Sequence, residues 1–314
     1  MRLRTLIAAS ALVLTATASH ANEFINVLTG GTSGVYYPLG VSLTQIYGKA
    51  IPGAKTSVQA TKASAENLNL LQAGRGEVAF TLGDTLSEAW KGNEDVGFKT
   101  PLKKLRTLAA IYPNYIHFIA NADSGIKTLA DLKGKRVSVG APKSGTELNS
   151  REIFKAAGMS YKDLAKVEYL GYSESVELIK NRQLDATLQS SGLGMAAVRD
   201  LAMAIKMVVI PIPVDVVKKI DDAAYSAGII PANTYNGQTV DVPTVAVQNY
   251  LVTHEGVSTD TVYKMTRSMF ENLDAMAAAH GAAKAINPKT AGIGSPVPLH
   301  PGAEKYYREA GLIK

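Results

Sequence analysis

Short apolar segments rich in β-branched residues alternate along this chain with segments of helical periodicity, from residue 24 almost to the C-terminus. This alternation is typical of a largely parallel sheet with helices packed on its faces. The apolar segments predict strands at 24–29, 56–60, 77–82, 105–111, 115–120, 136–140, 166–170, 185–189, 206–211 and 244–252. Helices are predicted at 35–49, 65–73, 85–91, 146–157, 174–181, 193–204, 259–279 and 303–311. The sequence therefore predicts an α/β fold.

Two segments predict where the chain passes between two lobes. Pro113 and Asn114 separate two predicted strands, and the turn-rich segment 231–243 precedes the long strand 244–252. Two crossings of this kind join two lobes, each a sheet flanked by helices, at a hinge. We therefore expect a clamshell with two hinge crossings. Its lobes are predicted to comprise residues 22–113 with 246–314, and residues 114–245.

The first 21 residues have the pattern of an export signal. Arg2 and Arg4 form a basic start, residues 6–18 are apolar or small, and Ser19 and Ala21 give a small-x-small cleavage motif. The apolar stretch is shorter than the roughly 20 residues that span a membrane. The chain has no cysteine, which excludes disulfides, thiolate metal sites and a lipid anchor on an N-terminal cysteine. We expect cleavage after Ala21 and a soluble periplasmic protein.

The charge balance argues against a nucleic-acid partner. The chain has a formal net charge of +6, which becomes +4 without Arg2 and Arg4 (31 basic minus 27 acidic residues). The basic residues are spread along the chain, without long runs or interleaved aromatic residues. We therefore expect no nucleic-acid partner and only a weak attraction for small anions.

The first predicted strand ends in a cluster of glycines and hydroxyl residues that leads into a helix. Gly31, Thr32 and Ser33 lie in this turn, and Tyr36 follows at the start of the helix. Free backbone N–H groups at a helix N-terminus attract anions. Ser33 and Tyr36 share a helix face from which a hydroxyl and a phenol could contact a carboxylate. The alternative is that the glycines only form a tight turn and that the tyrosine packs in the core.

A second cluster, Ser144-Gly145-Thr146-Glu147, follows the strand 136–140 and opens another helix. Its glycine spacing resembles that of a P-loop, but the lysine that would neutralise a triphosphate is missing, so we expect no nucleotide hydrolysis. Free amides and hydroxyls suited to a carboxylate remain. Glu147 has two interpretations, as an acid that favours the helix dipole or as a contact for a ligand ammonium group.

Asp84 also has two interpretations. It follows the strand 77–82 and precedes a helix, where it could cap the helix or accept a hydrogen bond from the ammonium group of an amino-acid ligand. No catalytic set accompanies it. The four histidines of the mature chain are scattered, and no serine lies in a G-x-S-x-G elbow. We expect no catalytic residue, no metal site and no cofactor.

Six parts of the sequence resemble the TAXI-type solute-binding proteins of tripartite ATP-independent periplasmic (TRAP) transporters. They are Thr29–Gly31 with Gly34–Gly40, Gln59–Thr61 with Ser64–Leu68, Asp131–Val137, Gly140–Glu147, Ile230–Tyr235 and Leu299–Tyr307. Each part is short, but their order and spacing behind an export signal make the combination specific. The resemblance extends over nearly the whole mature chain.

The resemblance implies a type II-like periplasmic-binding-protein clamshell that delivers its ligand to a TRAP-type membrane permease driven by an ion gradient. The ligands of that family are mainly glutamate and related C4 or C5 acids such as 2-oxoglutarate. The resemblance places Ser64 and Asn67 in the cleft, with an N-cap role for Ser64 as the alternative. It also implies ligand contacts at Ser190 and Ser191. The family usually has glycine at the position of Lys143.

These predictions describe a monomeric receptor, not an enzyme, that holds a small carboxylate or amino acid between amides and hydroxyls of two lobes. Two other hypotheses stay open. The chain could be an exported enzyme acting on a small organic acid, or a ligand-sensing subunit for a membrane signalling protein. An enzyme would consume its ligand, whereas a receptor would return it unchanged.

Overall fold

The computed structural model describes residues 23–314, so the predicted signal peptide at 1–21 lies outside the described residues. Within this range the strands are β1 (Phe24–Leu28), β2 (Lys55–Gln59), β3 (Val78–Leu82), β4 (Leu105–Asn121), β5 (Arg136–Ser138), β6 (Lys166–Glu168), β7 (Ala186–Ser191), β8 (Met207–Ile210), β9 (Tyr225–Ile230) and β10 (Val242–His254). The helices are α1 (Tyr36–Ala50), α2 (Ser64–Gln72), α3 (Gly83–Lys91), α4 (Gly145–Ala156), α5 (Tyr172–Lys180), α6 (Ala196–Ala204), α7 (Val214–Val217), α8 (Thr259–Glu271), α9 (Leu273–Ala279), α10 (Pro288–Ala291) and α11 (Pro301–Glu309). None of the helices between residues 23 and 314 is both long and apolar enough to span a membrane. The predicted α/β class is confirmed.

The strands form one mixed sheet with the order β2-β1-β3-β10-β4-β7-β5-β6 along its main path. β1 pairs in parallel with β2 and β3, and β5 pairs in parallel with β6 and β7. The antiparallel pair β4 and β10 separates these two parallel groups, and β8 and β9 add antiparallel strands to it. Parallel neighbours need crossover connections, which accounts for the alternation of strands and helices along the chain.

The strands β4 and β10 are long enough to belong to both groups. Residues 105–115 of β4 pair with β10, and residues 115–120 pair with β7. Along β10, residues 249–252 pair with β3, whereas residues 242–247 pair with β9. Two continuous strands therefore join the two groups, and each group with its helices forms one lobe of the predicted two-lobed fold.

The predicted break at Pro113 and Asn114, with a separate strand on either side, is wrong, because β4 continues through both residues. Pro113 lies opposite Gln248, and the pairing shifts register between Gln248 and Tyr250. Proline cannot donate a ladder hydrogen bond, and it is tolerated in a strand where the ladder is irregular. The chain thus passes this point as a strand and not as a loop.

The structure also differs from the predicted elements in a divided helix and an added strand. The single helix predicted at 259–279 is two helices, because Asn272 adopts φ −127° and ψ 33° between α8 and α9. β9 was not predicted. Only its end residues, Tyr225 and Ile230, are buried, so it lacks the apolar alternation by which a strand is recognised.

Buried apolar side chains form three clusters. One contains Phe118 of β4 and Phe154 of α4, and another contains Leu68 of α2. The largest joins the lobes, since it includes both Val35, just before α1, and Met195, just before α6. The two lobes are therefore packed against each other, which closes one side of the space between them.

Candidate functional site

A cavity of ≈ 460 Å³ lies between the lobes, where the N-termini of α1, α2, α4 and α5 approach the end of β7. Eight of the thirteen residues predicted to bind a ligand line it: Gly31, Tyr36, Ser64, Ser144, Gly145, Thr146, Ser190 and Ser191. The other five lie outside its lining: Thr32, Ser33, Asn67, Asp84 and Glu147. The structure thus brings together residues from separate clusters in the sequence.

The N-terminus of α4 has free backbone donors at the cavity. Ser144 caps this helix, because its Oγ accepts a hydrogen bond from the Glu147 N–H (3.1 Å) and donates one to the Ala141 carbonyl (2.7 Å). The N–H groups of Gly145 and Thr146 have no acceptor among residues 23–314. These donors lie at the positive end of a helix, where an anion is favoured.

The turn into α4 depends on unusual backbone angles. Gly140 has φ 101°, and a Cβ atom there would lie 2.9 Å from the Cβ atom of Thr146, so only glycine fits. Lys143 has φ 63°, a left-handed conformation that favours glycine. This preference explains why glycine suits the position, and Lys143 carries a backbone cost of about 1 kcal/mol.

The N-terminus of α1 lines another side of the cavity with Val35 and Tyr36, whose N–H groups also lack an acceptor within the described part of the chain. The Tyr36 hydroxyl donates to Oδ1 of Asn249, and burial raises the pKa of this tyrosine. The hydroxyl is therefore bonded inside the protein. This corrects the expectation that the Tyr36 phenol is free to contact a carboxylate.

Thr32 and Ser33 lie just before α1 but outside the cavity lining. Thr32 is exposed and Ser33 is half-buried. The Ser33 carbonyl accepts a hydrogen bond from the N–H of Ala197, the second residue of α6, at 3.3 Å. Ser33 thus connects the two lobes through its backbone.

Ser64 lines the cavity at the start of α2, and Asn67 lies behind it. The N-cap of α2 is Ala63, so the alternative in which Ser64 caps this helix is wrong. The Ser64 Oγ instead accepts a hydrogen bond from the Leu82 N–H at 3.2 Å. The Asn67 amide donates to two backbone carbonyls, one just after β1 and one in β3, both at 2.8 Å. Asn67 therefore fixes α2 against the sheet.

Tyr172 organises the side of the cavity formed by α4 and β7. Its hydroxyl donates to the Ser190 carbonyl (2.6 Å), accepts from the Ser190 N–H (3.2 Å) and lies 2.7 Å from Oγ1 of Thr146. Loss of contact with water raises the pKa of Tyr172 to about 12. Sequence reasoning missed this residue, because a lone tyrosine at a helix start has no distinguishing pattern.

A chain of buried amides runs beneath the cavity along the two crossing strands. Oδ1 of Asn249 in β10 accepts a hydrogen bond from the Tyr36 hydroxyl. The Asn249 amide group donates a hydrogen bond to Oδ1 of Asn114 in β4 at 2.7 Å. The Asn114 amide donates in turn to the Ser190 carbonyl at 2.9 Å. Side-chain hydrogen bonds therefore connect the start of α1 to the end of β7 across the hinge.

The hydroxyl of Ser190 is unused. Ser190 is 4% exposed, and its Oγ has no hydrogen-bond partner among residues 23–314. By contrast, the Ser144 hydroxyl donates a hydrogen bond to a carbonyl. The Tyr172 hydroxyl donates its one proton to the Ser190 carbonyl, so the Thr146 hydroxyl is the donor in its hydrogen bond with Tyr172. A buried hydroxyl without a partner costs about 1–3 kcal/mol, so a hydrogen-bond partner for the Ser190 Oγ would be stabilising.

Glu147 points away from the cavity into α4 and its neighbours. Glu147 is 6% exposed, and its carboxylate pairs with Arg151 at 2.8 Å and accepts a hydrogen bond from the Tyr161 hydroxyl at 3.1 Å. These partners use the carboxylate, and its place in the first turn favours the helix dipole.

Asp84 lies between the lobes but outside the cavity lining. Its carboxylate accepts hydrogen bonds from the Tyr225 hydroxyl (2.6 Å), the Asn149 amide (2.7 Å) and the Thr85 N–H (2.6 Å). Burial raises its pKa to about 6. The residue therefore joins α3 of one lobe to α4 and β9 of the other, with its acceptor sites already used.

Charged side chains are few at the cavity. Among its lining residues, Lys62 and Glu174 carry charge, and both are exposed. Oε2 of Glu174 accepts a hydrogen bond from the Gly171 N–H at 3.0 Å. Within residues 23–314, no three or more histidine, aspartate or glutamate side chains group closely enough to hold a metal ion.

Comparisons with known proteins place the chain in a fold and a family. The model of the NMT1-like family matches residues 27–311. A solved periplasmic transporter is 13% identical, with a TM-score of 0.55 over 93% of this chain and 94% of that chain. A putative L-cystine ABC transporter from Listeria monocytogenes is 17% identical, with a TM-score of 0.52 over 84% and 98% of the two chains. The alkanesulfonate-binding protein SsuA from Xanthomonas axonopodis pv. citri, bound to MOPS, is 14% identical, with a TM-score of 0.50 over 94% and 96%. The predicted two-lobed fold of periplasmic binding proteins is confirmed.

Proposed function

Since this chain belongs to the NMT1-like family and has the fold of periplasmic binding proteins, we propose that it is a solute-binding protein that holds a small carboxylate between its lobes. One observation carries the proposal: the N-termini of α1 and α4, from different lobes, meet at one cavity of ≈ 460 Å³. The peptide N–H groups and the helix dipoles at these two N-termini favour negative charge. The proposed ligand contacts are the eight predicted residues that line the cavity.

In the proposed mechanism, the carboxylate accepts hydrogen bonds from the N–H groups of Gly145 and Thr146 and from the Ser190 hydroxyl. The N-terminus of α1 then covers it from the other lobe. Closure expels water, and the lower local dielectric strengthens these hydrogen bonds. The ligand leaves chemically unchanged, so the chain is a carrier without a catalytic residue.

The proposed partner is a TRAP-type permease driven by an ion gradient, and the chain would be its TAXI-type receptor. Support comes from the ordered motifs that resemble that family. The fold is compatible with other partners, since the L-cystine ABC transporter protein shares it. Uptake into vesicles that carry the permease tests this proposal. Uptake driven by an ion gradient without ATP is expected, and a requirement for ATP would contradict it.

The proposed ligands are glutamate and related C4 or C5 acids such as 2-oxoglutarate, as the resemblance implies. A thermal-shift screen of amino acids and organic acids, followed by calorimetry, tests this proposal. We expect 1:1 binding and recovery of the ligand unchanged after long incubation. Conversion of the ligand would instead favour the exported enzyme. A histidine kinase gene beside this one, in place of a permease gene, would favour the sensor.

Lobe boundaries and location are also proposed. The boundaries at 113/114 and 245/246 are supported by the change of strand partners along β4 and β10. The mature protein is proposed to be a periplasmic monomer that begins after Ala21. Mass spectrometry and light scattering of protein from the periplasmic fraction test the cleavage site and the oligomeric state.

A further inference from the structure

We infer that the ligand carries a single carboxylate on an apolar or aromatic body. This inference rests on the proposed receptor function but departs from the ligands named there, because glutamate and 2-oxoglutarate each carry two carboxylates. It follows from the charge at the cavity, from the donors left for a ligand and from the character of the remaining walls.

The helix ends at the cavity supply about one positive charge. A helix N-terminus is equivalent to about +0.5 elementary charge. The first turn of α1 has no acid, and the acid in the first turn of α4, Glu147, is paired with Arg151. The first turns of α2 and α5 contain Glu66 and Glu174, which together offset their own helix ends and Lys62. The ends of α1 and α4 remain, and together they balance one carboxylate.

On the α4 side of the cavity, most side-chain hydroxyl protons are already donated within the protein. The protons of Ser144, Thr146, Tyr36 and Tyr172 are all donated within the protein. Ser190, whose buried hydroxyl is unused, lies near the free N–H groups of α4, because the Tyr172 hydroxyl contacts both the Ser190 carbonyl (2.6 Å) and Oγ1 of Thr146 (2.7 Å). A carboxylate accepts about four hydrogen bonds, so one carboxylate can use these donors in full.

Part of the remaining wall is apolar. Val35, Leu82 and Pro142 contribute aliphatic surface to the lining. Tyr36 and Tyr172 contribute rings whose hydroxyls are bonded elsewhere, so the ligand meets mainly their carbon atoms. The volume of ≈ 460 Å³ falls within the range of about 300–1,000 Å³ found for drug-sized ligands. An apolar body fits this space better than a second anion, whose burial without a cation is costly.

Matched ligand pairs test the inference by calorimetry on the mature chain. Leucine against glutamate compares one carboxylate with two in the presence of an ammonium group, and 4-methyl-2-oxopentanoate against 2-oxoglutarate makes the comparison without it. Phenylalanine and phenylpyruvate extend both series to an aromatic body. In each pair the monocarboxylate is expected to bind about tenfold or more tightly. Equal or tighter binding of the dicarboxylates would overturn the inference and leave the proposed function standing. If none of the six binds, both fall.

A variant tests the charge balance directly. Glu174→Gln keeps an acceptor for the Gly171 N–H and removes one negative charge from the cavity. The affinity for the dicarboxylate of each pair should rise about fivefold relative to its monocarboxylate partner. An unchanged ratio would mean that charge at the cavity does not set the number of carboxylates, and the inference would fail. Glu177→Gln, an exposed site outside the lining of the cavity, is the matched control.

Discussion

Two of the buried places where the lobes meet use their hydrogen-bonding groups in opposite ways. At Asp84, the carboxylate is matched by donors from Tyr225 and Asn149 of the other lobe. At the cavity, the Gly145 N–H and the Ser190 hydroxyl have no partner among the described residues. The buried charge therefore belongs to the contact that the protein makes with itself. In the proposed function, unused donors and helix ends, and not charged side chains, form the ligand site.

Asp84→Ala should have the largest effect on stability. It leaves the Tyr225 hydroxyl and the Asn149 amide buried without an acceptor, so the free energy of unfolding should fall by about 3 kcal/mol. Urea denaturation measures this change, and Asp221→Ala, at an exposed acid, is the control. If stability were unchanged and ligand binding were lost, Asp84 would belong to the ligand site. The contrast between the Asp84 contact and the cavity would then be wrong.

Gly145→Ala should weaken ligand binding about thirtyfold. A Cβ atom there would lie 2.6 Å from both the Ser64 Oγ and the Leu82 Cδ1, so it would hold the lobes apart and block closure. Gly281→Ala is the control, because this glycine lies outside the cavity lining and a Cβ atom there meets nothing within 4 Å. Calorimetry on both variants measures the effect. Equal losses of affinity would show that contact between the lobes at Gly145 does not matter.

The pH dependence of stability should distinguish the Asp84 contact from the rest of the molecule. The pKa of Asp84 is about 6 in the folded protein, above its ordinary 3.8, so the folded state binds the proton more tightly than the unfolded state. The contribution of Asp84 is therefore fully present below pH 3.8 and is lost as the pH rises through about 6. The slope is at most about 1.4 kcal/mol per pH unit.

Asp84→Asn, which cannot titrate, isolates this contribution. The free energy of unfolding of the native chain minus that of the variant should grow as the pH falls from 7 to about 4. Parallel curves for the two proteins across this range would contradict the raised pKa.

Ser190→Ala should lower ligand affinity about fivefold, the effect of one neutral hydrogen bond. Because its Oγ has no partner in the described chain, the melting temperature should stay the same or rise slightly. Thermal denaturation and calorimetry on the same sample separate the two effects. A fall in stability without a change in affinity would give this hydroxyl a structural role.

Lys143→Gly should have the smallest effect. Glycine removes the cost of φ 63° but gains freedom in the unfolded chain, so the net gain in stability should be about 0.5 kcal/mol. The exposed Lys155→Gly, in the last turn of α4, should instead lose stability, because glycine is a poor helix former. Stabilities measured by urea denaturation test the pair, and a loss at both positions would contradict a left-handed turn before α4.

Local patterns determined which parts of the fold could be predicted from the sequence. The alternation of apolar and helical segments is visible over a few residues, and it predicted the α/β class and most elements. The continuity of β4 through Pro113 depends on its pairing with β10, which is distant in the chain. The formation of β9 depends on the same strand, because β9 pairs with β10. Only the end residues of β9 are buried, so its sequence shows little apolar alternation.

The cavity was predictable to the extent that glycines and hydroxyls cluster where strands meet helices. Tyr172, Asn114 and Asn249 were missed, because each is an isolated polar residue whose partners come from other elements. For the same reason, the sequence could not predict which acceptor each hydroxyl group donates to. Tyr36 lies at the predicted place, yet its hydroxyl is bonded to a residue more than 200 positions away.

Both connections between the lobes are strands, and they run side by side as an antiparallel ribbon. A hydrogen-bonded ribbon bends and twists far more easily than it stretches or shears, so it leaves the pair of lobes with few soft motions. Ligand binding then fixes the two lobes against these few motions only. The lobes therefore lose little freedom of relative movement when the ligand binds.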